Sequence, residues 1–259
     1  MTLGIIAALH GEISQLLADM APGATRQHIA MRDYHAGKIL GHDCVVVLAR
    51  VGKVAAAATA TALIERFGAS QIIFTGVAGG VAHGLRIGDV VIANELAQHD
   101  LDARPFFGLH EIPMLGVSRC HADPALTLRL EAAAREYLEG RMRLEIPAPT
   151  RARFGLEAPR VHRGLIASGD QFIGSATRVD MLRKALPNAL AVEMEGAAVA
   201  QVCYEYGVPF SVIRTLSDTA DDQAHIDFPA FLNEVASLYS HGILRAFLAQ
   251  LHHRASDSH

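Results

Sequence analysis

The sequence lacks several features that would assign a protein class at once. It contains no tryptophan, and only 6% of its 259 residues are aromatic. No continuous apolar run reaches the roughly 18–20 residues of a membrane-spanning helix. The opening residues, MTLGIIAALHGEI, have no positively charged lead and only a short apolar run, so we expect no signal peptide.

Charge and cysteine are also scarce. Charged residues make up 19% of the chain and leave a formal net charge of −4, with acids and bases spread along the sequence. The sequence therefore predicts no basic face for nucleic acid and leaves a small-molecule partner open. The cysteines, Cys44, Cys120 and Cys203, are odd in number and lack metal-site spacing, so we expect reduced thiols and a cytoplasmic protein.

Short β-branched runs alternate along the chain with longer alanine-rich segments of helical periodicity. The strand candidates are Leu3–Ala8, Cys44–Leu48, Gln71–Thr75, Asp89–Ala93, Gly164–Ala167, Ala189–Val192 and Pro209–Thr215. The helix candidates are Glu12–Asp19, Lys53–Phe67, Pro124–Glu139, Ala176–Ala185, Gly196–Tyr206 and Pro229–Leu251. This alternation predicts an α/β fold with three layers, α/β/α, around a central mixed, mostly parallel twisted sheet.

Regular patterns continue through almost the whole chain, so we expect one domain over residues 1–252 and a frayed tail over 253–259. The segment EIPAPTRARFGLEAP, residues 145–159, is proline-rich, charged and irregular. Because regular patterns resume on both sides of it, a surface insertion near residues 143–160 is favoured over a domain boundary.

The residues that follow each strand are the informative ones, because ligands of open α/β sheets bind outside the carboxyl ends of the strands. Familiar motifs are missing there. The glycines of GVAGGVAHG, residues 76–84, fit neither GxGxxG nor a P-loop, and no GxSxG elbow is present. The pairs His42–Asp43 and His99–Asp100 lack further ligands at matching spacing, so we predict no metal site.

Two glutamates interrupt the apolar stretch AVEMEGAAVAQVC, residues 191–203. Glu193 and Glu195 are two residues apart and would share a face if the strand continued through them. Buried carboxylates need partners, so the pair either meets an arginine or accepts hydrogen bonds from a polyol. A surface pair at a strand end is the plainer alternative.

Other polar or aromatic residues follow strands as well. Glu12 opens a helix, where the macrodipole alone favours an acid. Asp218 follows an apolar strand that contains Arg214, and Ser217 or Asp218 would also suit a helix or turn cap. Phe172, in SGDQFIGS, either stacks on a flat ligand ring or fills the core.

Seven segments occur in a fixed order: GIIAALHGEI, RVGKVAAA, IIFTGVAGGV, GDVVIA, IASGDQFIGS, AVEMEGAAVAQVC and IRTLSDTAD. Together they resemble the purine nucleoside phosphorylase/nucleosidase superfamily, and within it the 5′-methylthioadenosine/S-adenosylhomocysteine nucleosidases. The resemblance runs from about residue 3 to about residue 245. It implies a nucleoside phosphorylase-like fold, no cofactor, a homodimer, and hydrolysis of a 5′-substituted adenosine to adenine and the substituted ribose.

The resemblance also implies catalytic roles by position. Asp218, in its pair with Ser217, would protonate N7 of adenine. Glu12 would orient the attacking water, with Arg214 beside it. These roles suit the chemistry, because a purine is a poor leaving group and cleavage leaves an oxocarbenium-like sugar.

Binding roles are implied in the same way. Glu195 would accept hydrogen bonds from the ribose hydroxyls, next to Met194. Phe172 would stack on adenine, the Ile173 backbone would bond to the adenine edge, and Phe228 would pack near the 5′ group.

The chain departs from the family in places. Gly79 would let the backbone approach the substrate, but Val77 stands where the nucleosidases often have serine or threonine. Residues 103–116, ARPFFGLHEIPMLG, only loosely match the segment that covers the 5′ pocket and reaches the neighbouring subunit in the family. The 5′ substituent therefore stays open among methylthioadenosine, S-adenosylhomocysteine, 5′-deoxyadenosine and an aminofutalosine-type nucleoside.

Two other functions are possible. A related phosphorylase would bind phosphate through arginines, but Phe74 stands where one is common, and Glu12 would repel the anion. Hydrolysis is therefore favoured over phosphorolysis. A non-catalytic nucleoside-binding protein is disfavoured by the joint presence of Glu12, Glu195 and Asp218.

Overall fold

The computed structural model describes residues 1–7, 14–220 and 224–256. Within these ranges the strands are β1 (Thr2–Ala7), β2 (Thr25–Ile29), β3 (Arg32–Ile39), β4 (His42–Leu48), β5 (Ala69–Gly80), β6 (Val90–Gln98), β7 (Cys120–His121), β8 (Val161–Ser168), β9 (Ala189–Glu193) and β10 (Phe210–Asp218). The helices are α1 (Ser14–Ala18), α2 (Lys53–Phe67), α3 (Pro124–Glu136), α4 (Met142–Glu145), α5 (Ala148–Phe154), α6 (Ala176–Ala185), α7 (Gly196–Tyr206), α8 (Ala224–Phe231) and α9 (Ser237–Ser256). Two π-helical turns, Tyr137–Arg141 and Leu232–Ala236, lie between helices.

Local chemistry explains where the helices begin and end. Helix α3 starts with Pro124 after Asp123, whose Oδ1 accepts a hydrogen bond from the Leu126 N–H at 2.8 Å. Helix α2 ends at Gly68, whose φ of 62° is the left-handed conformation that glycine adopts without cost. The ranges predicted for α2, α6 and α7 agree with these bounds.

The strands form one mixed sheet in the order β10-β6-β8-β9-β5-β1-β4-β3-β2, with β7 on β6. Strand β10 also pairs with β5, so β5, β10, β6, β8 and β9 close into a ring. Strand β5 makes this closure possible because it is long. It pairs in parallel with β1 and β10, and its last two residues pair with β9.

Alternating side chains of the central strands enter two cores. Ile5, Ile73 and Ile213 pack on one side with helices α3 and α9. The next residues along two of these strands, Ile6 and Phe74, pack on the other side with α2 and α7. The three-layer prediction is thereby confirmed, and the apolar strands are explained by burial on both faces.

The sequence patterns missed or shortened several strands. The hairpin of β2 and β3 was not predicted, because β2 is largely exposed and TRQHI carries no apolar alternation. Strand β5 continues through the glycines to Gly80, well past the predicted end at Thr75. No helix among the described residues is long and apolar enough to cross a membrane.

Residues 143–160 are more ordered than their composition suggested. Instead of irregular chain, residues 148–154 form helix α5, and Ile146, Phe154 and Leu156 are buried. Leu156 fills the space beside Gly88, where a Cβ would lie only 2.2 Å from Leu156 Cδ2. The segment therefore contributes apolar side chains to the core on the α3 and α9 side.

This packing predicts that Leu156→Ala lowers the free energy of unfolding by about 2–5 kcal/mol, the usual cost of truncating a buried leucine. Leu144, in the same segment, is 86% exposed and provides the control, because Leu144→Ala should change stability by less than about 0.5 kcal/mol. Urea unfolding followed by circular dichroism measures both. Equal stability of the two variants would show that the segment lies outside the core.

Candidate active site

A cleft of about 620 Å³, including its mouth, opens at the carboxyl ends of β5, β9 and β10. The chain that follows β8 forms another wall. The lining residues are Val51, Gly76, Val77, Ala78, Gly79, Gln171, Phe172, Ile173, Val192, Glu193, Met194, Glu195, Arg214, Ser217, Asp218 and Phe228. Every site residue expected from the sequence is on this list except Glu12, which lies outside the described residues.

Glu193 and Arg214 form a buried ion pair on the floor of the cleft. Arg214 Nη2 lies 2.7 Å from Glu193 Oε2, and Arg214 Nη1 donates to the carbonyl oxygens of Phe74 and Ile213. The guanidinium also lies over the Phe74 ring, 4.0 Å from its centroid. The pairing of β5 with both β10 and β9 brings Arg214 and Glu193 together, so the buried arginine has a carboxylate partner.

Glu193 also holds the start of helix α7. Its carboxylate accepts hydrogen bonds from the N–H groups of Glu195 and Gly196 and from the Ser168 hydroxyl. The carboxylate thus satisfies N–H groups at the start of the helix that have no partner within it. One side chain therefore joins β10, the end of β8 and α7.

Glu195 does not continue the strand of Glu193. Strand β9 ends at Glu193, the chain bends, and Glu195 becomes the residue preceding helix α7, with φ of −138° and ψ of −39°. The expectation that the two carboxylates share one strand face is wrong, because the bend gives them different partners. Glu195 Oε1 accepts a hydrogen bond from the Gly52 N–H at 2.8 Å. Glu195 is 6% exposed and lines the same cleft.

Asp218 ends β10 on the opposite wall and is 3% exposed. Its Oδ1 accepts the Ala220 N–H at 2.8 Å, and its Oδ2 lies 2.8 Å from Ser217 Oγ. The Ser217 hydroxyl has a second acceptor, the Ala78 carbonyl oxygen at 3.4 Å. It can therefore donate to Ala78 when Asp218 carries a proton on Oδ2.

Gly79 leaves the room that Asp218 occupies. A Cβ on Gly79 would lie 2.9 Å from Asp218 Oδ1 and 2.9 Å from the Ala220 Cβ. The glycine of β5 is thus required by close approach of β10 rather than by its backbone angles.

Two phenylalanines form the apolar end of the cleft. The Phe172 and Phe228 rings meet edge to face, with centroids 6.1 Å apart and an interplanar angle of 72°. Phe172 is 48% exposed, which does not fit a core side chain, whereas Ile173 is buried. An exposed aromatic face in a largely apolar cleft suits a flat ligand ring.

Sequence reasoning assigned no role to the segment Val51–Lys53. Val51 lines the cleft, and Gly52 holds Glu195. The sequence signal for this segment is the RVGK motif, residues 50–53, which closely follows the predicted strand Cys44–Leu48. Gln171, Gly76, Ala78 and Val192 were also missed as lining residues.

The described residues contain no group of three or more histidines, cysteines or acids arranged to bind a metal. Among the described lining residues Arg214 is the one cation, and it is already paired with Glu193. The described part of the cleft therefore presents no unpaired arginine or lysine to an anion.

The model of the phosphorylase superfamily matches residues 2–249, and the chain belongs to this superfamily. Within it, the chain is 38% identical over 232 residues to the 5′-methylthioadenosine/S-adenosylhomocysteine nucleosidase of Shewanella putrefaciens, covering 90% of this chain and 92% of that protein. The resemblance expected from the sequence motifs is thus confirmed.

Solved structures agree with this relationship. The S-adenosylhomocysteine nucleosidase of Streptococcus pyogenes, in complex with 5-methylthiotubericidin, superposes with a TM-score of 0.83 at 36% identity, covering 97% of both chains. The futalosine hydrolase of Helicobacter pylori superposes with a TM-score of 0.81 at 31% identity, covering 96% of this chain and 98% of that one.

The buried pair predicts a large stability effect. Arg214→Met should lower the free energy of unfolding by about 3–5 kcal/mol, because Glu193 would stay buried without its cation. Lys38→Met breaks the exposed Lys38–Asp43 pair, whose side chains are 57% and 56% exposed, and should cost less than about 1 kcal/mol. Urea denaturation compares the two, and similar losses would contradict this account of Arg214.

Proposed function

We propose that this protein hydrolyses the N-glycosidic bond of a 5′-substituted adenosine, releasing adenine and the 5′-substituted ribose. The observation that carries the proposal is the placement of Asp218, Glu195 and the Phe172–Phe228 pair around one cleft. Cleavage of a purine nucleoside requires an acid for the leaving base, an acceptor for the ribose hydroxyls and an apolar wall for the flat ring. The names of the similar nucleosidases support the same reaction.

Asp218 acts as the general acid in this proposal. As the bond between C1′ and N9 breaks, its electron pair moves into the purine, and Asp218 delivers a proton to N7. Ser217 accommodates both protonation states, because its hydroxyl can donate either to Asp218 or to the Ala78 carbonyl. Water then adds to C1′ of the oxocarbenium-like sugar and passes its proton to the carboxylate of Glu12, while Asp218 is left ionised.

Glu195 binds the ribose hydroxyls, and Phe172 stacks on adenine while the Ile173 backbone contacts its edge. Phe228 packs near the 5′ group, and Met194 lies beside the sugar. These assignments rest on the cleft lining and on the family resemblance. Gly79 and Val77 complete the wall formed by β5.

The family resemblance assigns to Glu12 the orientation of the attacking water. Arg214, on the floor of the cleft, assists it. The pairing of Arg214 with Glu193 limits it to a polarising and positioning role. It also supports water over phosphate as the nucleophile, because a dianion would need unpaired cationic donors.

The 5′ group has two candidate classes. The Shewanella and Streptococcus relatives carry names that specify thioether nucleosides, which favours methylthioadenosine and S-adenosylhomocysteine. The superposition with the Helicobacter futalosine hydrolase keeps an aminofutalosine-type nucleoside as the second candidate. Incubation with each nucleoside, with free adenine as readout, ranks them.

The main test is adenine release from these nucleosides with and without inorganic phosphate. We expect equal rates and a free sugar as product. A strict need for phosphate, with ribose 1-phosphate formed, would establish phosphorolysis, and binding without turnover would establish a non-catalytic role.

In the same assay, Asp218→Asn should lower kcat about 10²–10⁴-fold, the usual contribution of a general acid. Asp180→Asn, on helix α6 and 63% exposed at its side chain, is the matched control and should leave the rate unchanged. An active Asp218→Asn enzyme would rule out this acid.

We also propose a homodimer that uses the segment after Asp100. Phe106 and Met114 are 87% and 89% exposed, and Val54, next to the Lys53 that pairs with Asp100, is 82% exposed. Such exposed apolar side chains in one region favour an interface with a second copy.

The double variant Phe106→Glu/Met114→Glu should therefore sediment at half the mass of the parent protein. Met181→Glu introduces the same charge at an exposed methionine on α6 and should leave the mass unchanged. A parent protein that sediments as a monomer would overturn the proposal.

A cytoplasmic location is proposed from the thiols. Cys44, Cys120 and Cys203 are all free and buried, and burial raises the pKa of Cys203 to about 12. Such thiols are poorly reactive and form no disulfide, which suits a reducing compartment.

A further inference from the structure

The turn between β4 and α2 holds two walls of the cleft through successive backbone N–H groups. The Gly52 N–H donates to Glu195 Oε1, and the Lys53 N–H donates to Asp170 Oδ1, both at 2.8 Å. Gly52 has φ of 101°, a conformation that L side chains rarely adopt. A Cβ there would also lie 3.2 Å from Asp170 Oδ1. The direction of the Gly52 N–H therefore depends on how this turn is fixed.

The Lys53 side chain closes a ring of interactions around the turn. Its Nζ lies 2.6 Å from Asp100 Oδ1 and 3.1 Å from Gln98 Oε1. Asp100 Oδ2 in turn accepts the Asp170 N–H at 2.8 Å. Lys53 thus contacts Asp170 twice, directly through its N–H and indirectly through Asp100.

The ion pair of Lys53 and Asp100 is largely shielded from solvent, so it contributes more to holding the turn than a surface ion pair would. The side chains of Lys53 and Asp100 are 18% and 17% exposed. Burial alone would raise the pKa of Asp100, but hydrogen bonds from Lys53 Nζ and the Asp170 N–H outweigh it and lower that pKa. The carboxylate therefore stays ionised near neutral pH, and loss of Lys53 would leave it without its cation.

We propose that Lys53 is a positioning residue for ribose recognition: by pairing with Asp100 it fixes the Gly52 N–H on Glu195 and so orients that carboxylate toward the sugar hydroxyls. The inference rests on the proposed function and deepens it. Without the Lys53 side chain, the turn keeps the bond from the Lys53 N–H to Asp170 but loses the contact with Asp100, so the Gly52 N–H is held less firmly on Glu195. Lys53 itself lies outside the cleft lining.

The kinetic test uses Lys53→Met. We expect KM for the nucleoside to rise about 10-fold with kcat changed less than about 3-fold, because an interaction used in ground state and transition state alike is weakened. Lys53→Arg, which keeps a cation, should restore most of the affinity. Arg119→Met is the control. Arg119 pairs with Glu95 in another partly buried ion pair, whose side chains are 32% and 18% exposed, and neither residue lines the cleft.

A double-mutant cycle separates positioning from general damage. In a Glu195→Ala background, Lys53→Met should cause no further rise in KM, because its effect passes through Glu195. A full additional 10-fold rise in that background, or an unchanged KM in the single variant, would overturn the inference.

Hydrogen exchange tests the same link without catalysis. Val51–Gly52 is the only Val–Gly pair in the sequence, so ¹³C-carbonyl valine and ¹⁵N-glycine labelling isolates the Gly52 amide in one NMR signal. Its exchange should become at least about 10-fold faster in Lys53→Met, as expected when a hydrogen bond opens more often, and stay unchanged in Arg119→Met. Unchanged exchange in Lys53→Met would reject the inference, whether or not the wild-type protein releases adenine. Failure of the wild-type protein to release adenine would by itself reject only the proposed function.

Discussion

The buried pair of Glu193 and Arg214 is the interaction on which the cleft depends. Burying two charges is costly, and the structure compensates each with several partners: backbone carbonyls and the Phe74 ring for the arginine, and N–H groups and a hydroxyl for the glutamate. These partners come from β5, β8, β10 and α7, so the pair fixes the elements that carry the other site residues. Asp218 and Glu195 take up their positions relative to this floor.

The two carboxylates of the cleft are held in different ways, one at the end of a strand and one at a bend. Asp218 sits at the end of a strand buried along its whole length, where Gly79 of the neighbouring strand leaves it space. Glu195, in contrast, sits at a bend and takes its orientation from a glycine turn far away in the sequence. Asp218 is thus positioned within the sheet, whereas Glu195 is positioned by a contact between two turns, and each carboxylate is held by a backbone N–H.

Much of this could be predicted from the sequence, for a definable reason. Strand ends are marked by apolar runs that stop at polar residues, and Asp218, Glu195 and Phe172 were found in that way. An arginine partner was one of three possibilities stated for the two glutamates, and the contact of Glu193 with Arg214 confirms it for Glu193. The Gly52–Glu195 bond, which spans 143 positions, and the ring around Lys53 follow from tertiary packing and leave no local periodic signal. The polar hairpin of β2 and β3 was missed because exposed strands carry no hydrophobic alternation.

The pairing of β10 with β5 has a consequence for folding during synthesis on the ribosome. The two partners are separated by more than a hundred residues, as the pairing of Phe210 with Ile72 illustrates. While the chain is being synthesised, β5 therefore presents an apolar, unpaired edge until β10, in the last fifth of the chain, has emerged. Closure of the strands β5, β10, β6, β8 and β9 into a ring must wait for that distant strand. Strand β10 also carries Asp218, so closure of the ring of strands and placement of this carboxylate in the cleft occur together.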